Sequence, residues 1–129
     1  MDALSIHIIV VEDDPLVQDL LEAALTEGGF AVVKATSGED AIRMLDARGA
    51  VFNALVTDIN LTGKLLGWQV AKHARESHPE IPVVYMTGGD HDWAANGVPN
   101  SVLVSKPFAA AQIVTAVSQL LNKGNTPGA

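Results

Sequence analysis

Ile6-His7-Ile8-Ile9-Val10-Val11-Glu12-Asp13-Asp14-Pro15-Leu16-Val17 is the stretch on which the fold turns. Its first half is a short apolar run rich in β-branched residues, which reads as a strand buried on both faces. It stops at three acids, and Asp14 followed by Pro15 is the signature of a helix start, with an Asp N-cap and Pro in the first helical position. A buried strand passing directly into a helix is the first half of a strand-helix-strand unit. Beyond it, Leu16, Val17, Leu20, Leu21, Ala24 and Leu25 recur at helical spacing and predict one buried stripe, ended by Gly28-Gly29.

The same alternation continues outward. Phe30 to Ala35 reads as strand two, and Thr36 with Glu39 three residues on predicts a capping box leading into Ala41, Ile42 and Leu45. Ala54 to Thr57 is strand three, ending at Asp58. A polar loop from Asn60 to Leu66 then precedes a helix through Trp68, Val70, Ala71 and Ala74 that His78-Pro79 closes. Ile81 to Met86 is strand four and Val102 to Ser105 strand five, followed by Lys106-Pro107 and a last helix through Phe108, Ile113, Val117, Leu120 and Leu121. Between strands four and five, Gly88 to Asn100 is rich in breakers and predicts a short or irregular fourth helix. Five strands alternating with helices predict an α/β fold, a doubly wound five-stranded parallel sheet with helices on both faces. With 129 residues, one domain is expected over 1–129, with a core at about 5–122 and a flexible tail at 123–129.

Composition narrows the function. Fifteen Asp and Glu against eight Lys and Arg give a formal charge of −7, which offers no field for a phosphate backbone and argues against direct nucleic-acid binding. The absence of cysteine removes thiolate nucleophiles and zinc thiolate sites. No apolar run approaches the roughly 20 residues of a membrane span, and no secretory signal is visible, so a cytoplasmic address is expected. His7, His73, His78 and His91 are scattered without metal-ligand spacing. Trp68 reads as a half-buried anchor.

In an open parallel sheet, ligands sit beyond the carboxyl ends of the strands. Here those ends carry Glu12, Asp13 and Asp14, then Asp58, Thr87 and Lys106. Asp14 is accounted for as a cap. The remaining carboxylates repel one another, and a hard divalent cation with oxygen ligands, Mg²⁺, offsets that repulsion most simply. A cation beside an ammonium and a hydroxyl suits stabilisation of a phosphoryl group, and Asp58, alone after a central strand, is the candidate nucleophile.

These residues resemble a known family, the two-component response regulator receiver domains. The likeness rests on the acidic pair Glu12-Asp13, Thr57-Asp58-Ile59-Asn60-Leu61, Met86-Thr87-Gly88 and Ser105-Lys106-Pro107-Phe108, over about residues 5 to 122. It implies a flavodoxin-like strand order 2-1-3-4-5 and a signalling role rather than an enzyme's. Asp58 would take a phosphoryl group from a sensor histidine kinase or histidine phosphotransfer protein. Asp13, Asp58 and the backbone carbonyl of Asn60 would bind Mg²⁺, with Glu12 acting mainly through water, while Thr87 and Lys106 would contact the phosphoryl oxygens. Asn60 and Gly89 would influence dephosphorylation, and Lys106-Pro107 looks like the family's cis peptide. A downstream protein target would read the switched surface.

The chain departs from the family pattern in three places. Leu103 stands where an aromatic residue is usual, the loop Leu61 to Gly67 lacks the usual Pro and Asp and is one residue longer, and the interval from Thr87 to Lys106 is short. These departures predict an altered output surface with a mobile segment over Gly89 to Asn100. About 20 residues follow Lys106, enough for one helix, so the expectation is a stand-alone, CheY-like receiver or one belonging to a longer hybrid kinase. A phosphorylation-independent adaptor and a small Mg²⁺-dependent aspartyl phosphatase are the competing readings. The phosphatase lacks a second acid near Asp58, since the residue two positions on is Asn60.

Overall fold

A computed structural model describes residues 5–89 and 93–124. The opening strand forms as β1 (His7–Val11) and leads into α1 (Pro15–Glu27), with the Asp14 carboxylate accepting the Leu16 N–H at 3.0 Å as an N-cap. The chain continues as β2 (Ala31–Ala35), α2 (Gly38–Leu45), β3 (Ala54–Asp58), α3 (Gly67–Ser77), β4 (Val83–Thr87), α4 (Trp93–Asn96), β5 (Ser101–Ser105) and α5 (Ala110–Gly124). All strand pairs are parallel, in the order β2-β1-β3-β4-β5. The α/β doubly wound sheet therefore forms as expected.

Successive strand residues point to opposite faces, and both faces are apolar. Ile8, Val10, Val56, Val84 and Met86 pack with Leu21 and Leu25 of α1 and Ile113 and Val117 of α5. Ile9, Val11, Leu55, Val83 and Tyr85 pack with Ala41 and Leu45 of α2 and Trp68, Val70, Ala71 and Ala74 of α3. The registers Val11↔Thr57 and Asp58↔Met86 bring the ends of β1, β3 and β4 to one level, which is what gathers their terminal side chains.

Several local details differ from the sequence reading. Leu16 and Leu20 are 81% and 53% exposed and do not join the α1 stripe, because six apolar residues in ten span more of the helix circumference than the sheet covers. The cap of α2 is shifted by one residue: Ser37 Oγ accepts the Asp40 N–H, and the Asp40 carboxylate accepts the Thr36 N–H. Thr36 and Glu39 therefore do not form the box, and Glu39 is free to bond elsewhere. Trp68 is more buried than a half-buried anchor, and its ring meets Tyr85 edge-on at 4.6 Å between centroids. The helix α5 runs on to Gly124, two residues into the segment read as tail, since exposed Asn122 and Lys123 extend it without burying polar groups and the Lys suits a helix C-terminus. Residues 125–129 of that tail lie outside the described residues, as do 90–92 of the segment read as mobile. Its described part contains a single helical turn, α4, matching the expectation of a short fourth helix.

Gln18 sits on the buried face of α1 and its Nε2 donates to the carbonyls of Glu12 and Ala35, both at 3.1 Å. It thereby ties the ends of β1 and β2 together beneath the acidic loop. Gln18→Leu keeps the bulk but takes the donor from the Glu12 carbonyl, while the Ala35 carbonyl keeps the Glu12 N–H at 3.0 Å, so an equilibrium denaturation curve is expected to show a loss of about 1–2 kcal/mol.

Candidate functional site

The site begins with strand ends. Glu12 follows β1 and is 1% exposed, Asp58 closes β3 and is 6% exposed, and Asp13 is partly exposed beside them. One carboxylate oxygen from each of the three lies within 4.8 Å of the others. The register that lines up the strand ends has crowded three like charges, and the structure answers them with one ammonium. Lys106 Nζ donates to Asp58 Oδ2 at 2.8 Å and to Glu12 Oε1 at 3.4 Å. Lys106 reaches the cluster from the turn after β5, where its backbone N–H bonds the Thr87 carbonyl at 2.6 Å and its peptide bond to Pro107 is cis.

Each charge feels its surroundings differently. Burial raises the pKa of Glu12, and the nearby charge of Asp58 adds to this, against the opposing Asp14 N–H bond and Lys106. The pKa of Asp13 is lowered, chiefly by the hydrogen bond from the Thr62 hydroxyl. Burial works to lower Lys106, but its bonds to Asp58 and Glu12 outweigh this and its pKa is raised. A carboxyl with a raised folded-state pKa binds its proton more tightly in the native state. Stability therefore falls as pH rises from the ordinary value of 4.5 through the raised one, and stays lower above it. Asp13 has the opposite sign and contributes stability that is lost as pH falls below its ordinary 3.8. Glu12→Gln is thus expected to raise the melting temperature at neutral pH by a few degrees in metal-free buffer, and to flatten the pH dependence above 4.5, as thermal melts across pH will show.

Of the residues singled out from sequence, Glu12, Asp13, Asp58 and Lys106 come together. Thr87, 2% exposed at the end of β4, instead bonds its own turn, its hydroxyl exchanging 3.2 Å contacts with the N–H and C=O of Gly89. Asn60 is exposed in the loop after Asp58. His7, His73 and His78 lie away from the cluster in their bonding, to Ser5, to Asp46 and to Ser77, and His91 is outside the described residues.

Two residues that shape the site carried no chemical signal in sequence. Gly67 opens α3 directly against β3: a Cβ there would lie 2.3 Å from the Asp58 carbonyl oxygen and 3.0 Å from Ile59 Cα. Only glycine lets the helix begin that close. Thr62 donates to Asp13 Oδ2 from both its backbone N–H, at 3.1 Å, and its hydroxyl, at 2.5 Å. A glycine in a loop and a threonine in a loop are ordinary turn residues, and only the returning path of the chain shows what they touch.

The all-oxygen donor set of the three carboxylates fits a hard divalent cation. The buried, charge-disfavoured Glu12 and the crowding of Asp58 with Asp13 are what such an ion would relieve.

A family model described as the response regulator receiver domain matches residues 8–118. The chain belongs to this family. The receiver is 32% identical over 120 residues to the transcriptional regulatory protein QseB of Haemophilus influenzae, across 91% of this chain and 53% of that protein. It is 27% identical over 122 residues to the sensor kinase CckA of Brucella abortus, across 92% of this chain and 13% of that protein. The receiver thus spans about half the length of the first relative and a small part of the second. The crystal structure of a response regulator receiver protein from Sinorhizobium medicae superposes with a TM-score of 0.88 at 44% identity, covering 92% of this chain and 95% of that one. Among the described residues of the receiver, no helix is long and apolar enough to cross a membrane.

Proposed function

We propose that this receiver accepts a phosphoryl group on Asp58 in a Mg²⁺-dependent reaction and that the modification switches a protein-interaction surface. The observation that best supports this reading is the 2.8 Å bond from Lys106 Nζ to Asp58 Oδ2 inside a cluster with Glu12 and Asp13. Glu12, Asp13, Asp58 and the carbonyl of Asn60 would hold the ion. When bound, Mg²⁺ supplies positive charge to phosphoryl oxygens and orients them for in-line transfer.

The chain's own residues do the rest. A carboxylate oxygen of Asp58 forms a bond to phosphorus as the donor's phosphorus–nitrogen bond breaks, the electron pair leaving on the imidazole nitrogen of a phosphohistidine, which takes up a proton from solvent. Lys106, already on Asp58, neutralises charge on the transferred group. The Thr87 hydroxyl exchanges its Gly89 carbonyl for a phosphoryl oxygen, and that exchange pulls on the turn after β4. The donor is a sensor histidine kinase or a histidine phosphotransfer protein, and exposed Leu16 and Leu20 on the first turns of α1, next to the acidic loop, supply apolar area for it.

The downstream target is a protein. A groove of about 550 Å³ between β5 and α5, lined by Leu103, Ser105, Gln112, Thr115 and Gln119 among others, is the surface that the Thr87 movement would alter. Direct binding to nucleic acid or membrane is not part of this role, in keeping with the charge of −7, and the location is cytoplasmic.

The test uses two substrates. With acetyl phosphate and Mg²⁺, the receiver should capture one phosphoryl group per chain and no more. With an alkyl phosphomonoester such as glycerol 3-phosphate it should show no sustained turnover, since Asn60 stands two positions after Asp58, where protonation of a leaving alcohol would call for an acid. Sustained turnover would make it a phosphatase. Capture that leaves partner affinity unchanged, compared with and without a phosphoryl mimic, would make it an adaptor.

A further inference from the structure

The loop between Asp58 and α3 is tied down on both sides of a left-handed turn. Gly63 has φ of +101°, and a Cβ there would meet the Glu39 carboxylate at 2.7 Å. Next to it, the Lys64 N–H bonds Glu39 Oε2 at 3.0 Å. Glu39 can do this because Ser37 and Asp40 have taken over the cap of α2. On the other side stands Thr62, whose two donors both land on Asp13 Oδ2. The hydrogen bonds therefore join the acidic loop after β1 to the loop after β3, four residues beyond Asp58 and two beyond Asn60.

Two donors on one oxygen leave a carboxylate little freedom to rotate and so fix where its second oxygen lies. Mg²⁺ is demanding of geometry, takes one oxygen from each carboxylate in a site with several waters, and gains from ligands that need not be ordered when it arrives. Hydrogen-bonding groups behind a ligating carboxylate typically change metal affinity 10–100-fold.

We propose that Thr62 is a positioning residue for the divalent cation: its hydroxyl holds Asp13 in place and locks the β1 and β3 loops at the spacing the ion requires. This rests on the Mg²⁺ reading above. Thr62 touches neither phosphoryl group nor ion; it acts through Asp13. The opposite effect, in which Thr62 competes with the cation for Asp13, would tighten binding when the hydroxyl is removed.

The experiment is a Mg²⁺ titration of the full chain by isothermal calorimetry, without phosphodonor. Thr62→Val keeps the shape and the backbone N–H but removes the hydroxyl, and Thr62→Ala is a second hydroxyl-free variant should the first not fold. Thr62→Ser keeps the hydroxyl and drops the methyl. Thermal melts in EDTA identify which variants are folded. The expected result is a roughly tenfold weaker dissociation constant for the hydroxyl-free variants and a value within about twofold of the native chain for Thr62→Ser. Unchanged or tighter binding in the hydroxyl-free variants overturns the proposal, as does an equal loss in Thr62→Ser, which would assign the effect to packing. A native chain that does not bind Mg²⁺ at millimolar concentration overturns the metal reading itself, and the role of Thr62 with it.

Discussion

Asp58→Asn is expected to abolish phosphoryl capture from acetyl phosphate, slowing it by on the order of 10³-fold or more, while the domain stays folded. The amide is nearly isosteric with the carboxylate but is a poor nucleophile, so the step that forms the new bond to phosphorus is lost. The fold has no reason to suffer. Asp58 belongs to a crowd of three carboxylates facing one ammonium, and neutralising one member relieves repulsion. Lys106 keeps Glu12 as a partner at 3.4 Å. The two readouts should therefore diverge: a phosphorylation time course followed by intact mass falls to background, and the thermal midpoint in metal-free buffer holds or rises.

Gly67→Ala is expected to do the reverse, damaging the fold first and the chemistry through it. The added methyl would meet backbone, the Asp58 carbonyl oxygen at 2.3 Å and its carbon at 3.0 Å, so no side chain can swing aside. Relief requires the start of α3 to move away from β3, breaking the Gly67 N–H bond to the Ile59 carbonyl, which is 2.8 Å long. Trp68, the next residue, would be drawn from its edge-on contact with Tyr85. A stability loss of about 3 kcal/mol by denaturant titration is expected, the upper part of the range for overpacking. Phosphoryl capture should slow as well, because the displaced backbone carries Asp58 and the loop to Asn60. Unchanged stability would mean that α3 packs less closely on β3 than described.

The contrast between these two positions shows where the sequence was readable. The strand-helix alternation was plain because each strand is a short apolar run stopped by a polar residue, and a sheet buried on both faces leaves no other use for Ile8 to Val11. The meeting of Glu12, Asp13, Asp58 and Lys106 followed from the same pattern, since parallel strands of similar length present their ends at one edge. What could not be read was contact made by loops. Thr62 and Gly67 belong to a loop without periodicity, and their partners lie across the site rather than along the chain.

Helix faces were legible only as far as their neighbours allowed. Leu21 and Leu25 are buried because α5 and the sheet lie against them, whereas Leu16 and Leu20 satisfy the same spacing rule and face solvent. The cap of α2 shows a finer limit. Thr36 and Ser37 are both suited to cap α2, and the choice of Ser37, with Asp40 on the Thr36 N–H, releases Glu39 to hold the Lys64 N–H in the loop beside the site. A local choice of cap thus has a distant consequence, which local rules do not contain.

We propose Asp58 as the phosphoacceptor, in a reaction that depends on a divalent cation. Intact mass of the native chain after incubation with acetyl phosphate, in Mg²⁺ and in EDTA, followed by peptide mapping of any adduct, tests it most directly. A histidine kinase donor run in parallel covers the case of a chain that refuses small donors. The expected result is one phosphoryl group, present in Mg²⁺, absent in EDTA, and carried on the peptide containing Asp58. An adduct on another residue, an adduct indifferent to EDTA, or none from either donor would contradict it.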